Sequence, residues 1–483
     1  MNYQTIIGLE VHAQLLTKSK MYCGCSADYA SAPPNTHVCP VCLGMPGVLP
    51  VINRQAVEFT MMTALALNCS ISDFTKFDRK NYPYPDLMKG YQISQYDAPI
   101  GKGGRLFIDV DGQRKNIGIT RVHLEEDVAK LLHRTGGGED YSLVDVNRSG
   151  CPLMEIVGEP DLRSPEEARQ YLIKLRSILQ YLGVSTGNME EGSFRCDANI
   201  SLLPEGSKEF TAKVEVKNLN SFKAVYLAME YEAQRQRKAA DEGKKLVQET
   251  RGWLDEKGKT VSQRGKEYAH DYRYFPEPDL PPLVISRDWV DSVKVKLPEL
   301  PEARRDRFIK EYGLPLYDAN LLTESKALAD YFEETVKSNK DAKPKEISNW
   351  LLGEASRIMN VNNIDIGAFR KRIRPEMIPP LIISARSTIN IGMAKSVFEE
   401  MYNTGRDSAE IIKERGLSQI SDTGELEKVV AEVIHSNMQA VADYRAGKET
   451  AVKFLVGQVM KATRGRANPQ LVNEVLKQKL AEA

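Results

Sequence analysis

Four cysteines lie within twenty residues of the sequence, in two short pairs. They are Cys23 and Cys25 and then, after thirteen intervening residues, Cys39 and Cys42. Two turns that each present a thiolate pair match the four sulfur ligands of a structural zinc site, which leaves no position open for water. We therefore predict a structural four-cysteine zinc knuckle at residues 23–42. The alternative, four unrelated buried thiols in a reduced chain, stays open at this point.

A carboxylate and an imidazole share one face of the first strand-like segment. Between Ile6 and Leu15, apolar side chains alternate with polar ones or glycine. Successive side chains of a β-strand point to opposite faces, so Glu10 and His12 lie side by side, opposite the apolar row. This pairing of a carboxylate with a histidine is a first candidate for metal or acid–base chemistry.

The same alternation recurs in four further segments, at residues 119–128, 144–147, 195–202 and 212–217. Their outward polar side chains are Arg121, His123, Glu125, Asp127, Asp145, Asn147, Arg195, Asp197, Asn199, Ser201, Lys213, Glu215 and Lys217. If the five segments lie in one sheet, these side chains form a polar bed. Its oxygen ligands and histidine suit Mg²⁺ or Mn²⁺ better than a soft metal, and its lysines and arginines could clamp phosphate.

A simpler interpretation of the polar bed remains open. An antiparallel strand with one polar face in water is the commonest design, and any one of these strands could be of that kind. Solvated faces, however, usually mix Lys, Glu, Thr and Ser. The short, metal-competent side chains of the polar bed favour a site over a solvated face.

An aromatic, proline-rich segment runs from His270 to Leu283. It concentrates Tyr272, Arg273, Tyr274 and Phe275 ahead of four prolines, which predicts a stiff loop. The aromatic rings could cover a nucleotide or a nucleic-acid end by stacking. Equally, the segment could be a linker whose rings fill the core.

The elements that position these residues fall into three parts. A chain of 483 residues predicts about three domains, and 42% hydrophobic with 27% charged residues is ordinary for globular proteins. We predict an α+β fold: an antiparallel-sheet body at residues 1–297 with helices at Ser164–Leu182 and Ser221–Lys245, an all-α helical domain at residues 298–405, and a small all-α tail domain at residues 406–483. The body would form a cradle around the polar bed.

Charge and hydropathy narrow the function classes. The 66 basic and 66 acidic residues balance, so no overall field indicates a nucleic-acid partner. Residues 442–483, however, hold eight Lys and Arg against four acids, a local surplus of 8 − 4 = +4. No apolar run is long enough to cross a bilayer, and the first residues do not form an export signal. We expect a soluble, cytoplasmic protein with reduced thiols.

Long strings of the sequence resemble one family. They include IGLEVHAQL at Ile7–Leu15, FDRKNYPYPD at Phe77–Asp86, GITRVHLEEDVAK at Gly118–Lys130, DVNRSGCPLMEIV at Asp145–Val157, MEEGSFRCDANIS at Met189–Ser201 and DYRYFPEPD at Asp271–Asp279. In this order they are similar to the GatB family, the B subunits of the aspartyl/glutamyl-tRNA amidotransferases. The resemblance runs from Met1 to Ala483, including a tail like the helical tail domain of that family.

The resemblance implies a function. Members of this family work together with an amidase (glutaminase) subunit, the A subunit, and with a small C subunit on misacylated glutamyl-tRNA(Gln) or aspartyl-tRNA(Asn). The B subunit uses ATP to phosphorylate the side-chain carboxylate of the amino acid, and ammonia from the amidase then displaces the phosphate. The cofactors implied are ATP as substrate and Mg²⁺, in addition to the structural Zn²⁺ predicted from the cysteine spacing. The tail domain is expected to contact the tRNA through backbone and shape.

This chemistry assigns roles to the polar bed. The Mg²⁺ candidates are Glu10, His12, Glu125 and Glu215, which with Glu126 make up the predicted catalytic set. Glu126 falls on the wrong face by strict alternation, and a β-bulge would be needed to return it. The predicted substrate- and ATP-binding residues are Arg195, Asp197, Asn147, Asn199, Lys213 and Lys217.

Two features of the sequence differ from what an enzyme that works alone with the expected ligands would have. Nothing in the sequence is suited to hydrolyse glutamine, so a partner must supply the ammonia. Position 14 is Gln, where some relatives are expected to carry glutamate, which leaves its role as a ligand in doubt. Two other classes remain open: a non-enzymatic RNA-binding zinc protein and a metal-dependent hydrolase.

Overall fold

The structure is a computed structural model that describes residues 2–136, 139–265, 272–417, 423–445, 448, 450–463, 467 and 469–482. The chain divides into two compact units, Met1–Pro301 and Glu302–Ala483. The first is mixed α/β and is built on a large sheet, whereas every described element of the second is helical. This arrangement confirms the prediction of an antiparallel-dominated body followed by helices. Among the described residues, no helix has the length and apolar character needed to span a membrane.

Sixteen strands occur in the described part of the first unit. They are β1 (Tyr3–Gln14), β2 (Ser70–Ile71), β3 (Phe74–Thr75), β4 (Asp78–Asn81), β5 (Tyr91–Ser94), β6 (Gly101–Val110), β7 (Gln113–Glu126), β8 (Lys130–Gly136), β9 (Glu139–Asp145), β10 (Pro152–Gly158), β11 (Phe194–Pro204), β12 (Val214–Lys217), β13 (Glu249–Leu254), β14 (Lys259–Gly265), β15 (Phe275–Pro276) and β16 (Leu283–Val284).

The main sheet has nine strands in the order β14-β13-β12-β11-β1-β10-β7-β6-β2. Its pairs are antiparallel except β12 with β13. Strand β1 lies inside the sheet, with β10 on one side and β11 on the other. Ile7, Leu9, Val11 and Ala13 are fully buried, as the alternation of this segment predicts. The N-terminal strand therefore contributes both a core face and a polar face at the middle of the sheet.

The described part of the first unit contains four α-helices: α1 (Arg54–Ala66), α2 (Pro165–Leu182), α3 (Phe222–Asp241) and α4 (Arg287–Lys294). Buried side chains of all four share one hydrophobic core with the apolar face of the main sheet. Helix α2 begins after Ser164, whose hydroxyl accepts a hydrogen bond from the Glu167 amide, and ends at Gly183 in the left-handed conformation. The two helices predicted from periodicity are confirmed. Because they cover the apolar face, the polar face is left for other contacts.

Three small sheets complete the first unit. Strands β15, β4 and β5 form one, β16 and β3 form another, and β8 pairs with β9 as a separate hairpin. Residues 146–148, which follow β9, form a 3₁₀ turn. The expectation that Asp145 and Asn147 lie on a strand of the main sheet is therefore wrong. Alternation over four residues was too short to distinguish a hairpin end from a sheet strand.

The second unit contains thirteen described helices. They are α5 (Pro301–Tyr312), α6 (Leu316–Thr323), α7 (Lys326–Ser338), α8 (Pro344–Trp350), α9 (Ser356–Asn362), α10 (Ile366–Arg370), α11 (Ile378–Ser387), α12 (Ile391–Thr404), α13 (Ser408–Glu414), α14 (Thr423–Ser436), α15 (Met438–Arg445), α16 (Thr450–Ala462) and α17 (Pro469–Glu482). One hydrophobic core runs from Phe308 to Ile412 and a separate one from Leu426 to Leu480.

Candidate active site

Three side chains of the polar face meet at the centre of the main sheet. His12 on β1 lies opposite Glu155 on β10, which in turn lies opposite His123 on β7. The Nε2 atom of His12 is 3.4 Å from an oxygen of Glu125 and 3.6 Å from an oxygen of Glu155. One ligand atom from each of His12, Glu125 and Glu155 lies within 4.8 Å of the others. We call these three residues the central cluster.

Glu155 is the member of the central cluster that sequence reasoning missed. It lies in the apolar stretch PLMEIV, where the alternation that marks a half-exposed strand is absent. The available signal was a lone carboxylate within an apolar strand, because a buried charge requires a partner. Glu155 has such partners, since His123 Nε2 is 3.1 Å from its Oε2 atom and Arg121 is 3.8 Å from its Oε1 atom.

The electrostatics of the central cluster favour charge separation. Burial opposes protonation of His12, but a hydrogen bond to Glu155 and the charges of Glu125 and Glu155 raise the pKa of His12 to about 9. Burial would likewise raise the pKa of Glu155, yet the charge of His123 and the bond to His12 hold that pKa well below its usual range. The cluster thus keeps Glu155 ionised, between the imidazoles of His12 and His123.

Glu10, Asn199 and Lys213 lie together next to the central cluster. Asn199 donates a hydrogen bond of 3.0 Å from its Nδ2 atom to Glu10. All three residues line one cavity of about 210 Å³, which also contacts Gly8 and Ser201. Glu10 is two residues from His12 on β1, so both point to the same face. The structure therefore brings these three predicted residues together.

Glu215 and Lys217 belong to a different part of the polar face. Their strand β12 is separated from β1 by β11, a distance of roughly 9–10 Å for two strand spacings. Lys217 Nζ lies 2.6 Å from Asp197 and 3.1 Å from Glu215, and Thr250 donates to Glu215 at 2.9 Å. The structure does not bring Glu215 to the central cluster, because its register places it beside Asn199 instead.

Arg195 lies opposite His12 in the pairing of β1 with β11, and a buried carboxylate engages it. Its Nη2 atom is 3.0 Å from Asp127, and Gln14 donates to the same carboxylate at 2.6 Å. Gln14 also exchanges hydrogen bonds with the Tyr29 hydroxyl. Burial opposes ionisation of Asp127, but Arg195 and Arg148 lower its pKa. The amide at position 14 therefore positions Asp127.

Glu126 lies on the opposite face from Glu125. The pairing of β7 with β10 is unshifted from Glu126 to Arg121, so the β-bulge that would return Glu126 to the polar face is absent from this described pairing. Its carboxylate accepts a hydrogen bond of 2.9 Å from the Ile93 amide and contacts Lys89. The possibility that Glu126 joins the other carboxylates is therefore not supported, because strict alternation holds to the end of the strand.

Asn147 lies outside the polar bed and organises a loop. Its side chain accepts a hydrogen bond from the His37 amide at 2.8 Å and donates one to the Pro33 carbonyl at 2.7 Å. Both of its polar atoms are thus used, and the residue is fully buried. The loop that it holds leads directly into Cys39.

The four cysteines of the predicted knuckle converge. One sulfur atom from each of Cys23, Cys25, Cys39 and Cys42 lies within 4.8 Å of the others. The Cys42 sulfur is 3.4 Å from that of Cys23 and 3.7 Å from that of Cys39. The Cys23 thiol and the nearby ammonium of the buried Lys20 lower the pKa of Cys42. Four sulfur donors in this arrangement are compatible with zinc.

The remaining described cysteines lie in other surroundings. Cys69, Cys151 and Cys196 are buried, and burial raises the pKa of each thiol. Cys196 lies on the apolar side of β11, as its position in the alternation predicts. These three thiols are single buried residues, whereas the four knuckle cysteines form a cluster that could bind a metal.

Part of the aromatic loop lies close to the central cluster. Residues 266–271, which include His270 and Asp271, lie outside the described residues. From Tyr272 onward the loop is described, and β15 pairs with β4. The Tyr274 ring stacks on that of Tyr96, two residues after Ser94, whose hydroxyl donates a hydrogen bond to Glu125. Burial, together with the charges of Glu125 and Glu155, raises the pKa of Tyr274.

Comparison with known proteins agrees with this architecture. Residues 5–291 match the family model of the GatB/GatE catalytic domain, and residues 330–480 match that of the GatB domain. The chain belongs to the GatB family. A GatB relative from Dehalococcoides mccartyi, the B subunit of an aspartyl/glutamyl-tRNA(Asn/Gln) amidotransferase, is 61% identical over 99% of both chains. The B subunits from Carboxydothermus hydrogenoformans and Moorella thermoacetica are 54% and 56% identical, each covering 99% of this chain and 99% and 100% of their own lengths.

The family predicted from sequence strings is thereby confirmed. The name GatB denotes the B subunit of an amidotransferase, so a GatB chain is a component of a hetero-oligomeric enzyme of translation. That enzyme class, the ligases that form carbon–nitrogen bonds with glutamine as amide donor, follows from the family. The alternatives of a non-enzymatic zinc protein and of a metal-dependent hydrolase are not supported, because neither accounts for matches along both parts of the chain.

Proposed function

We propose that this chain activates the side-chain carboxylate of Glu-tRNA(Gln) or Asp-tRNA(Asn) with ATP and amidates it. In the first step an oxygen of that carboxylate bonds to the γ-phosphorus of ATP, and ADP leaves. In the second step ammonia bonds to the carbonyl carbon, the bond from that carbon to the phosphate oxygen breaks, and one proton of the ammonia passes to the departing inorganic phosphate. The observation that carries the proposal is the central cluster beside the cavity of Glu10, Asn199 and Lys213, in a member of the GatB family.

Mg²⁺ fits the central cluster by its donor chemistry. Glu125 and Glu155 supply buried carboxylate oxygens on the same side as His12. Because the pKa of His12 is raised to about 9, its nitrogen would become a ligand only when its proton is displaced, so Mg²⁺ and that proton would compete. Glu10, two residues away on β1, would complete the oxygen set. When bound, Mg²⁺ neutralises charge on the phosphate oxygens.

The residues around the cluster have complementary tasks. Lys213 contributes a positive charge to a cavity that also contains Glu10, which suits a phosphate group near a metal site. Asn199 fixes the Glu10 carboxylate through its 3.0 Å hydrogen bond. Arg195 and Asp197 lie opposite His12 and Glu10 in the pairing of β1 with β11. Together with Lys217 they keep their proposed role in holding the substrate beside these residues. Glu215 and Asn147 are assigned to supporting positions, because their side chains are used within the structure.

The four-cysteine cluster is proposed to hold a structural Zn²⁺. Its donors are all thiols, in two pairs that are separated by one loop. Zinc would then fix residues 23–42 against the turn at Asn147. The ion supplies folding energy at this position and takes no part in amide formation.

Partners follow from the chemistry and the family. We propose that an amidase partner, the A subunit, supplies the ammonia and that a small C subunit completes the complex. The division of the helical unit into domains at residues 298–405 and 406–483 is kept as a proposal, with tRNA binding assigned to the tail. Of its basic residues, Arg464 and Arg466 lie outside the described residues. The setting of the reaction is proposed to be the cytoplasm, where translation takes place.

Ammonium chloride should bypass the amidase. With ATP and misacylated tRNA present, we expect this chain in its complex to form amidated tRNA from ammonium at a rate within about tenfold of that with glutamine, because the reacting species is the same. The measurement is the amino acid recovered from the tRNA. ATP hydrolysis that does not depend on misacylated tRNA, with no amidated product, would contradict the proposed function.

Removing the tail should weaken tRNA binding. A complex in which this chain ends at residue 405 is expected to show a KM for misacylated tRNA raised at least about tenfold, since several phosphate contacts are lost, with kcat little changed. The matched control is the full chain assayed at the same salt concentration. An unchanged KM would show that tRNA binds elsewhere.

A further inference from the structure

Four tyrosines gather at the edge of the polar bed. Tyr96 stacks on Tyr274 with ring centroids 4.2 Å apart and planes 12° from parallel. Tyr272 meets Tyr274 and Tyr82 edge-on, at 6.0 Å and 5.7 Å. We call these four residues the tyrosine platform. It joins residues that are almost two hundred positions apart in sequence, so it is a feature of the fold and not of one loop.

The loop that carries Tyr272 and Tyr274 is held in one conformation. Arg79 on β4 makes two hydrogen bonds of 2.7 Å to Glu277, which is buried. Asn81 donates to the Tyr272 carbonyl from its amide at 2.9 Å and to the Arg273 carbonyl from its side chain at 2.8 Å. Arg273 has a φ of +45°, a left-handed conformation that costs energy for a residue other than glycine. The structure therefore maintains a strained turn between the two tyrosines.

The tyrosine platform is connected directly to the central cluster. Ser94, at the end of β5, donates a hydrogen bond of 3.3 Å to Glu125. Gln95, the next residue, accepts one from the Leu124 amide at 3.0 Å. Tyr96 follows immediately, and its amide donates to Asp78 at 3.1 Å. The segment that carries Tyr96 thus also contacts a metal candidate, through the hydroxyl of Ser94.

One ring of the platform is left open. Tyr96 keeps 60% of its surface exposed although one of its faces packs on Tyr274. Lys80 lies nearby, with its ammonium 5.0 Å from the Tyr272 ring centre and 5.6 Å from that of Tyr82. The tyrosine platform thus combines an exposed aromatic face on Tyr96 with a cation beside its Tyr272 and Tyr82 rings, and aromatic faces and cations are the groups that bind a base and its phosphate. The exposed Tyr96 ring therefore does not fill the core.

We propose that the tyrosine platform binds an adenine base by stacking on Tyr96, next to the site of carboxylate activation. The proposal rests on the proposed function, because that reaction brings two adenine bases to the polar bed. One belongs to ATP and the other to the 3′-terminal adenosine of the tRNA, which carries the amino acid. Both bases are adenines, so stacking alone does not distinguish ATP from the tRNA end, and the experiment must measure the binding of each separately.

The test uses the complete complex with Tyr96 replaced. Tyr96→Ala removes the ring, Tyr96→Leu keeps apolar packing on Tyr274 without an aromatic face, and Tyr96→Phe keeps the ring. One arm measures the Kd of a non-hydrolysable ATP analogue. The other measures the Kd of a tRNA acceptor minihelix with a 3′-terminal adenosine and of the same minihelix without that terminal base. Tyr317→Ala is the matched control, because Tyr317 is 72% exposed in the helical unit.

We expect the Ala and Leu variants to weaken one of the two ligands by about 5- to 150-fold, with Phe and the control near wild type. If the minihelix is affected, the loss should vanish for the minihelix that lacks the terminal base, and the platform holds the tRNA end. If the ATP analogue is affected, the platform holds the nucleotide. Unchanged Kd values in both arms overturn the proposal.

Binding and turnover separate this proposal from the function on which it rests. At saturating ATP and tRNA, the Tyr317→Ala control complex should retain a kcat within a few-fold of wild type. A wild-type complex that forms no amidated tRNA would reject the proposed function whatever the Kd values are. A fully active wild-type complex with unaffected variants would reject only the platform.

Discussion

Replacing Glu155 with glutamine should lower ATP-dependent amidation by at least about a hundredfold while the chain remains folded. Mutation of a residue that only orients a metal ligand typically lowers metal affinity or activity by about 10- to 100-fold. Glu155 is proposed to be a ligand itself, so its loss should lower activity by at least as much. Glutamine has nearly the same shape as glutamate but no charge to balance His12 and His123, which lie 3.6 Å and 3.1 Å from the carboxylate. Glu155 is also the one member of the central cluster that was not predicted from the sequence.

Two measurements define this result. The first is amidation with ammonium chloride, which removes any contribution from the amidase. The second is the affinity for Mn²⁺, a paramagnetic substitute for Mg²⁺, which should fall together with activity. Glu159→Gln is the matched control, because Glu159 lies just beyond the same strand and its carboxylate accepts a hydrogen bond from Thr120. A folded Glu155→Gln variant that binds Mn²⁺ as tightly as wild type would remove Glu155 from the proposed metal site.

Losing the zinc knuckle should destabilise the body of the protein. We expect Cys39→Ser to lower the zinc content from about one ion per chain to near zero. At free zinc about a thousandfold above the Kd, a bound ion contributes about 4 kcal/mol to the free energy of unfolding, and the variant should lose that amount. Without the ion, the hydrogen bonds between Asn147 and the loop of residues 23–42 should weaken.

Elemental analysis and urea unfolding, each with and without a chelator, measure the effect. Chelation should destabilise the wild-type protein and leave Cys39→Ser unchanged, because that variant has no ion to lose. Cys69→Ala is the control, since Cys69 is a buried core thiol outside the knuckle. Wild-type protein that contains no zinc, or a variant with unaltered stability, would contradict a structural zinc site.

Local patterns in the sequence predicted the parts of the site that depend on local geometry. The alternation in β1 placed Glu10 and His12 correctly on one face, and cysteine spacing predicted which four thiols converge. Strict alternation also indicated that Glu126 faces away from Glu125, so the proposal of a bulge was the step that failed.

The pairing of strands that are distant in the sequence determines which polar residues meet at the site, and local sequence patterns could not predict that pairing. Glu155 joins His12 only because β10 pairs with β1 in one particular register, and nothing within its apolar segment specifies that register. The same reason separates Glu215 from the central cluster, since its strand lies two positions from β1. Asn147 was misplaced because a hairpin end and a sheet strand alternate alike over four residues. The sequence could not show whether the aromatic loop covers a ligand or fills the core, because its tyrosines contact Tyr82 and Tyr96 in a distant segment.

Because β1 lies between β10 and β11, it can complete its pairing only late in the synthesis of the first unit. Its two neighbours end at Gly158 and Pro204, so the first strand made cannot be paired on both sides until residue 204 has been added. At about 5–20 residues per second, that takes about 10–40 s of translation. Both edges of β1 are unpaired until β10 has been made at residue 158, and one edge stays unpaired until β11 is complete. Unpaired strand edges are a liability for aggregation. His12 meets Glu155 only when the ribosome has finished roughly a third of the chain, so the proposed metal site forms together with the centre of the sheet.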